Sequence, residues 1–362
     1  MNILYDNIIF SLQNSGGVSV FWSELTKRLL KTGNKIYFLE YKNAKNNQFR
    51  ANLKIPTELL CIKTTNLLNL KRYLSPKIAI TGNTIFHSSY YRIIRHPKVA
   101  NVTSIHDFVY EYHRRGLVKY VHFFQKRFAI KNSDLIICVS ENTKKDLKKF
   151  FPGIPNDKIV VVYNGISEYF FKLTDFKDYA HLPFLPHSFL MYVGDRRAKY
   201  KNFENLIKCF PNNVSFLIAG GGQPTQREIK LLTKYLQPGQ FKFTGFISNS
   251  ALNIFYNHAK ALIYPSSYEG FGIPIAEAQK AGCPVIALNT SSIPEVAGAG
   301  ALLIPALTNE ALNTALLTLD NPKNRENIIS LGLKNAERYS WDTSFAKTNE
   351  AYQAVWAKKF SR

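Results

Sequence analysis

IYPSSYEGFGIPIAEAQKAGCPVIALNTSSIPEV, residues 263–296, is the stretch from which the rest of the chain can be read. The apolar run 261–264 just before and into it has the length and composition of a buried strand. It breaks into a polar turn, Ser266-Ser267-Tyr268-Glu269, after which Gly270 and Gly272 flank Phe271. Pro274 then stands where a helix begins, the helical position at which a missing N–H does no harm. A helix over residues 275–280 is expected to end at Gly282, which suits the place just past a helix. A second apolar run, 283–288, follows. Strand, glycine turn, helix and strand form one unit of a parallel α/β sheet.

The start of that helix carries unpaired N–H groups and the positive end of a dipole, both of which attract phosphate. The glycines let a ligand approach the backbone closely. Glu269 lies just before the turn and Glu277 about one turn into the helix. A carboxylate repels phosphate but accepts hydrogen bonds from a pair of adjacent hydroxyls. An anion site bracketed by two diol acceptors describes a sugar nucleotide. Acidic residues also gather near helix starts simply to answer the dipole; the glycines, the proline and the second glutamate favour the ligand.

With 362 residues the chain is long enough for two domains. Apolar content of 46% and charged content of 20% are those of a globular protein and exclude a disordered one. The net charge is +22. Residues 1–180 hold 28 Lys+Arg against 13 Asp+Glu, a net of +15, which leaves +7 for the remainder. Such an excess suits nucleic acid, an anionic membrane surface or a phosphorylated substrate. No motif that reads RNA or DNA is present, so nucleic acid is not an expected partner. Cys61, Cys138, Cys209 and Cys283 are widely spaced, which signals neither a zinc site nor a disulfide framework but buried thiols in a reducing cytoplasm. The first residues read as a strand rather than a signal peptide, and no apolar run reaches the length of a membrane span. A soluble or peripheral protein is expected.

Taken in order, a first strand near 3–5 leads to Gly16-Gly17 and an amphipathic helix over 20–30. This glycine pair allows close backbone approach but is not the dinucleotide fingerprint. A strand over 101–105 ends at His106, where sites of this architecture are built. GLVKYVHFFQKRFAIK, 116–131, is a helix rich in aromatics and cations. Most of its apolar positions fit one stripe, which favours a core-facing helix with a solvated basic face; the alternative is an anionic membrane interface. Asn164-Gly165 closes the first half, and 168–188 is the candidate linker. In the second half a strand over 189–193 runs into a loop with Arg196, Arg197, Lys199 and Lys201, placed to clamp a diphosphate. A strand over 241–244 runs into Gly245-Phe246-Ile247-Ser248.

SYEGFGIPIAEAQKAGCPVIALNTSSIPEVAG resembles the signature of the retaining glycosyltransferases of family 4, with their E-x7-E pair as Glu269 and Glu277. YVGDRRAKYKNFENLIKCF is similar to the family's phosphate-clamp segment, and FLIAGGG, FTGFIS and Gly16-Gly17 fall in the family's order, so the resemblance covers nearly the whole chain. It implies a GT-B fold, two Rossmann-like doubly wound α/β domains facing across a cleft. Residues 1–172 with a returning C-terminal helix, about 346–362, are expected to bind the acceptor, and 173–345 the nucleotide sugar. The implied reaction is that of bacterial surface-polysaccharide enzymes. A hexose, mannose or similar, passes from a UDP-, GDP- or dTDP-sugar to a saccharide acceptor in lipopolysaccharide O-antigen or capsule synthesis. The expected acceptor is polyprenyl-diphosphate-linked, and the expected location is the inner face of the cytoplasmic membrane. By the same resemblance Glu277 would bind the ribose hydroxyls and Glu269 those of the donor sugar. Backbone N–H groups of Phe271, Gly272 and Ile273 would face sugar and phosphates, while Pro274 has none to offer. Arg196 and Lys201 would neutralise the diphosphate in place of a metal, with Arg197 as second choice. Gly17, beside Gly16, would approach the diphosphate from the other domain, His106 would contact the sugar near its reacting carbon, and Ile247 would lie beside the base. No cofactor and no metal are implied, and no D-x-D motif is present. A sugar-nucleotide epimerase or phosphorylase on the same fold is the alternative, and a basic nucleic-acid-binding protein a more remote one.

Overall fold

The computed structural model describes residues 1–174 and 182–361; the linker expected over 168–188 lies partly outside the described residues, as does the last residue of the expected C-terminal segment. The chain forms two units, Met1–Gly165 with Trp341–Arg362, and Ile166–Ser340. The first break comes before residue 172 because the next residues already pack on the second unit. The Phe171 amide donates to Asn253 Oδ1 (3.0 Å), the Leu173 amide to Asn257 Oδ1 (2.8 Å), and the Phe170 ring lies 5.9 Å from Tyr256. The second comes before residue 346 because Trp341 already belongs to the core of the first unit, 6.1 Å from the Phe21 ring.

The first unit holds strands β1 (Asn2–Asp6), β2 (Lys35–Tyr41), β3 (Leu60–Lys63), β4 (Thr84–Ser88), β5 (Val99–Ile105), β6 (Leu135–Cys138) and β7 (Ile159–Val161). They form one parallel sheet in the order β3-β2-β1-β4-β5-β6-β7. β5 is buried along its whole length, as a parallel strand covered on both faces must be. The chain runs outward from β1 to β3, then returns to β4 on the other side of β1. That reversal leaves a crevice at the carboxyl ends of β1 and β4. After β1 and a short helix, Ile9–Leu12, the chain enters the helix Gly17–Leu29, with Gly16 as its N-cap.

The final helix, Trp341–Phe360, is tied to this sheet by a buried polar chain. Tyr352 Oη lies 2.8 Å from Tyr5 Oη on β1 and 2.5 Å from His87 Nδ1 on β4; His87 Nε2 lies 2.9 Å from Ser104 Oγ on β5. Burial pulls the His87 imidazole down to about 3, so it is neutral and can accept one bond and donate the other.

The second unit repeats the plan with β8 (Phe189–Val193), β9 (Ser215–Ala219), β10 (Phe241–Gly245), β11 (Ala261–Tyr264), β12 (Val285–Leu288) and β13 (Leu302–Ile304). Their order, β10-β9-β8-β11-β12-β13, puts the reversal between β8 and β11. The two loops singled out by sequence, 194–202 and 265–272, leave these two strands.

Gly165 marks the point where the first unit's chain passes its returning helix. A Cβ there would stand 2.2 Å from the Trp341 backbone nitrogen and 2.6 Å from its Cα. Gly165→Ala is expected to lower stability by about 2 kcal/mol through forced backbone movement. Gly153→Ala, with open space around it, is the control. Urea unfolding of both variants checks this, and equal midpoints would refute it.

Candidate active site

The loops after β8 and β11 are stitched together at the reversal of the second sheet. Asn202, in the left-handed region at φ 54°, ends a short 3-10 turn (Lys199–Lys201) and starts the helix Phe203–Lys208. Its Nδ2 donates to the Pro265 carbonyl (2.9 Å), and the Ser267 amide donates to the Tyr200 carbonyl (2.7 Å). This brings Lys201 Nζ to 2.5 Å from Glu269 Oε1 and 3.3 Å from Tyr264 Oη. Both charged side chains are largely buried, at 14% and 12% exposure. Burial works against the Lys201 ammonium, but Glu269 and Tyr200 outweigh it and its pKa is raised overall. Lys201 is therefore a fixed cation.

The Glu269 turn is held from the next loop. Ser291 Oγ accepts from the Glu269 amide (2.9 Å), and Ser292 Oγ donates to the carbonyls of Glu269 and Phe271, both at 2.9 Å. The buried Phe271 ring packs edge-on against Tyr339, 5.3 Å away. Gly272, at φ 102°, then turns the chain into the helix Ile273–Lys280, with Pro274 in its first turn and no side chain capping its start. A side chain at this backbone angle would be strained, which gives the glycine its reason.

Glu277 sits one turn along that helix, half-buried. Among the described residues nothing hydrogen-bonds or ion-pairs its carboxyl group, and burial pushes it up to about 8. The buried hydroxyl of Tyr256 also lacks a partner among the described residues; burial and the charge of Glu277 both raise its pKa. The two glutamates of the signature are thus unlike. One is clamped to a cation, and the other is an acceptor with nothing to accept.

Arg196 departs from its expected place. Its guanidinium is buried and points away from the loop surface: Nε donates to Glu228 Oε1 (2.8 Å), Nη2 to the Gly222 carbonyl (2.9 Å), and Nη1 to the Gly220 carbonyl. It also lies over the Phe243 ring at 5.0 Å. Arg196 thus holds the triple-glycine turn after β9. Arg197, the second choice, is exposed, with Nη2 on the Gln223 carbonyl (3.1 Å), and Lys199 is exposed beside it. Ile247 follows β10 and is half-buried.

In the first unit, Gly17 opens its helix with no heavy atom near the position of a Cβ. His106 follows β5, its ring edge-on to Phe21 at 4.8 Å. Burial, opposed by Asp107 and reinforced by Lys126, draws its pKa down to about 4, so the ring is neutral at physiological pH. Ser291, Ser292 and Tyr264 were not singled out by sequence, although all three stand in the stretch quoted at the outset; short serine side chains carry no pattern of their own, and Tyr264 reads as one more apolar strand residue. Among the described residues no group of three or more His, Cys, Asp or Glu side chains is placed to hold a metal ion.

Comparison with solved structures gives the class first. Sucrose-phosphate synthase of Thermosynechococcus elongatus aligns over 99% of this chain and 100% of its own, with a TM-score of 0.75 at 17% identity. HepE of Anabaena, in complex with UDP and glucose, aligns over 98% and 100% with a TM-score of 0.73 at 16% identity. These likenesses show the GT-B fold. Residues 15–168 match the family model described as Glycosyltransferase Family 4, and residues 181–334 that of Glycosyl transferases group 1. The chain belongs to the family-4 glycosyltransferases and is a glycosyltransferase enzyme. It is 26% identical to O-antigen chain mannosyltransferase B of Escherichia coli over 70% of each chain. It spans 59% of an uncharacterized glycosyltransferase of Methanocaldococcus jannaschii and 23% of the serotype-specific mannosyltransferase WbdA of Escherichia coli.

Two consequences are measurable. Arg196→Ala leaves Glu228 largely buried without its cation and is expected to cost about 3 kcal/mol of stability, whereas Arg197→Ala costs little; thermal melts separate the two. For Glu277, the folded chain keeps its proton up to about pH 8 while the unfolded chain releases it near 4.5. The folded-state pKa is raised, so this group's contribution to stability is full below the lower value and lost as pH rises through the upper one. Glu277→Gln should flatten that part of the stability–pH curve and gain on the parent above pH 8; parallel curves would refute the assignment.

Proposed function

We propose that this glycosyltransferase moves a hexose, mannose or a close relative, with retention of configuration, from a nucleotide-diphosphate sugar to a saccharide acceptor in O-antigen or capsule synthesis. The observation that carries this reading is the pairing of a fixed cation, Lys201, with Glu269 beside the unpartnered Glu277, at the reversal of the second sheet. We assign the nucleotide sugar to this unit and the acceptor to the first. Similarity to the E. coli O-antigen mannosyltransferase supports the sugar and the polymer, and HepE with bound UDP and glucose supports a nucleotide-sugar donor.

The chemistry follows from charge. Breaking the glycosidic bond leaves negative charge on the departing diphosphate. Lys201, Arg197 and the start of the Ile273–Lys280 helix oppose that charge, and they do so more strongly as it develops. We assign this task to them rather than to a divalent metal. Retention is assigned to front-face attack, in which the leaving phosphate takes the proton of the acceptor hydroxyl as the new bond forms. Glu277 receives the ribose diol; its proton leaves as two hydroxyl donors arrive. Glu269, positioned by Lys201 and Ser291, orients the sugar.

The acceptor is taken to be carried on a polyprenyl diphosphate at the inner face of the cytoplasmic membrane, with the enzyme peripheral to it. A net charge of +22 supports an anionic partner. Among the described residues no helix is long and apolar enough to cross a membrane.

A thermal-shift panel of UDP-, GDP- and dTDP-sugars identifies the donor, since a ligand that binds only the folded state raises its melting temperature. With that donor, Glu277→Ala is expected to weaken nucleotide binding about tenfold through loss of a charged acceptor. Glu269→Ala is expected to spare nucleotide affinity and lower kcat about a hundredfold through misplacement of the sugar. Equal loss of nucleotide affinity in both would contradict the division of labour, and turnover of donor without any acceptor would overturn transfer itself.

A further inference from the structure

The helix Leu117–Lys131 is inside out. Leu117, Val121, Phe124 and Phe128 stand at i, i+4, i+7 and i+11, a stripe that ordinarily faces a core. Their exposures are 78%, 40%, 58% and 40%, and Val118 and Tyr120 beside them are exposed as well. The opposite face is the buried one, and it carries His122 and Lys126 beside Ala129 and Ile130. Lys126 is fully buried, its ammonium 2.8 Å from Glu111, 3.0 Å from the Asp107 carbonyl and 4.3 Å above the Phe108 ring. This is not a slipped helix with a spare apolar surface. Lys126 is held inside by these partners, and with that face turned inward the apolar stripe points out.

The stripe continues onto a neighbouring segment. Leu67, Leu70 and Leu74, around the short helix Leu68–Lys71, are exposed at 59%, 61% and 56%. Gln125 of the long helix donates to the Arg72 carbonyl at 2.5 Å, and a cavity of about 390 Å³ lined by Tyr73, Leu74, Val121, Phe124 and Phe128 joins the two elements.

Charge says what covers this surface. Residues 59–133 hold 13 Lys+Arg against two acids, Asp107 and Glu111, a net of +11. Glu111 is buried against Lys126. Arg114, Arg115, Arg127 and Lys131 are exposed around the stripe, and the Arg95 guanidinium lies 4.6 Å over the Phe128 ring. Apolar and aromatic side chains ringed by cations, with no exposed acid among them, match an interface of acyl chains beneath anionic headgroups. We propose that this face of the first unit docks on an anionic lipid bilayer, with the stripe entering the acyl boundary and the ring of cations on the headgroups. The inference deepens the reading of a lipid-linked acceptor and rests on it for its purpose, not for its geometry.

The test is flotation of the full chain with vesicles of phosphatidylcholine and phosphatidylglycerol. Binding is expected at low salt, with loss on phosphatidylcholine alone and in about 1 M salt, where the Debye length is roughly 3 Å. Leu117→Ser/Val121→Ser/Phe124→Ser should cut partitioning at least tenfold. Removing Arg114, Arg115 and Arg127 as alanines should cut it about a hundredfold, near fivefold for each cation. Both triple variants are expected to keep the parent's melting temperature and its shift with the donor sugar. No binding of the parent to anionic vesicles, or undiminished binding of the serine variant, overturns the proposal. So does a parent dimer that the serine variant dissolves, since a second copy would then cover the stripe. A chain that answers a nucleotide sugar but ignores these vesicles refutes the docking alone; one that binds vesicles but answers no nucleotide sugar supports the docking and refutes the donor reading.

Discussion

An all-parallel sheet covered on both faces leaves polar chemistry almost nowhere to go. Its central strands are buried along their length, so a polar group inside must be matched or not be there. In the first unit the matches are visible. Tyr5, His87, Ser104 and Tyr352 share one chain of bonds, and Asp6 is held by Ser88 Oγ (2.7 Å) and Arg92. The open places are the carboxyl ends of the strands where the order reverses. The second unit builds its site there: Lys201 and Glu269 meet where the loops of β8 and β11 are joined, and the serines that follow β12 hold the Glu269 turn from beneath.

Within that site the environments of the two glutamates differ more than their spacing in sequence suggests. Glu269 has a cation at 2.5 Å and a hydroxyl on its amide; Glu277 has burial and no partner. Divergent environments for a pair of like groups are how one fold obtains two roles from one residue type. Lys201 is the cation that stays with the site because its partner stands across the reversal. Arg196, five positions earlier in the same basic loop, is drawn off by Glu228 and a turn of three glycines. Adjacent charges in a loop need not share a task, and the partner decides which one a ligand can meet.

The strand–glycine–helix unit, the E-x7-E pair and the alternation that makes two parallel sheets were legible because each is local: a run of residues, a fixed spacing, a glycine with a backbone angle only it adopts readily. What was not legible depends on distant residues. Nothing near Arg196 announces that Glu228 will claim it. Nothing in residues 166–173 shows that Asn253 and Asn257 will receive the amides of Phe171 and Leu173 and draw the boundary to Gly165. The serines beneath the Glu269 turn lie inside the quoted stretch, yet their work is seen only once β12 is placed beside β11.

The helix Leu117–Lys131 shows the limit most clearly. Periodicity reports that a helix has two faces, not which of them is inside. The apolar stripe favoured a core-facing reading, and the structure reverses it because Glu111, the Asp107 carbonyl and the rings of Phe108 and Tyr91 hold Lys126 within the unit. Burial lowers the pKa of that ammonium, and the attraction of Glu111 and Asp107 works against the shift. Sequences tend to agree with their folds at every level, and the exceptions gather where function asks for them. Here the exception has a direction: a lysine is held where an apolar side chain would pack more simply, and the apolar side chains are held where water would otherwise meet them. Such an arrangement persists without penalty only if the outer face has its own partner, so the inward lysine and the outward phenylalanines are two ends of one constraint.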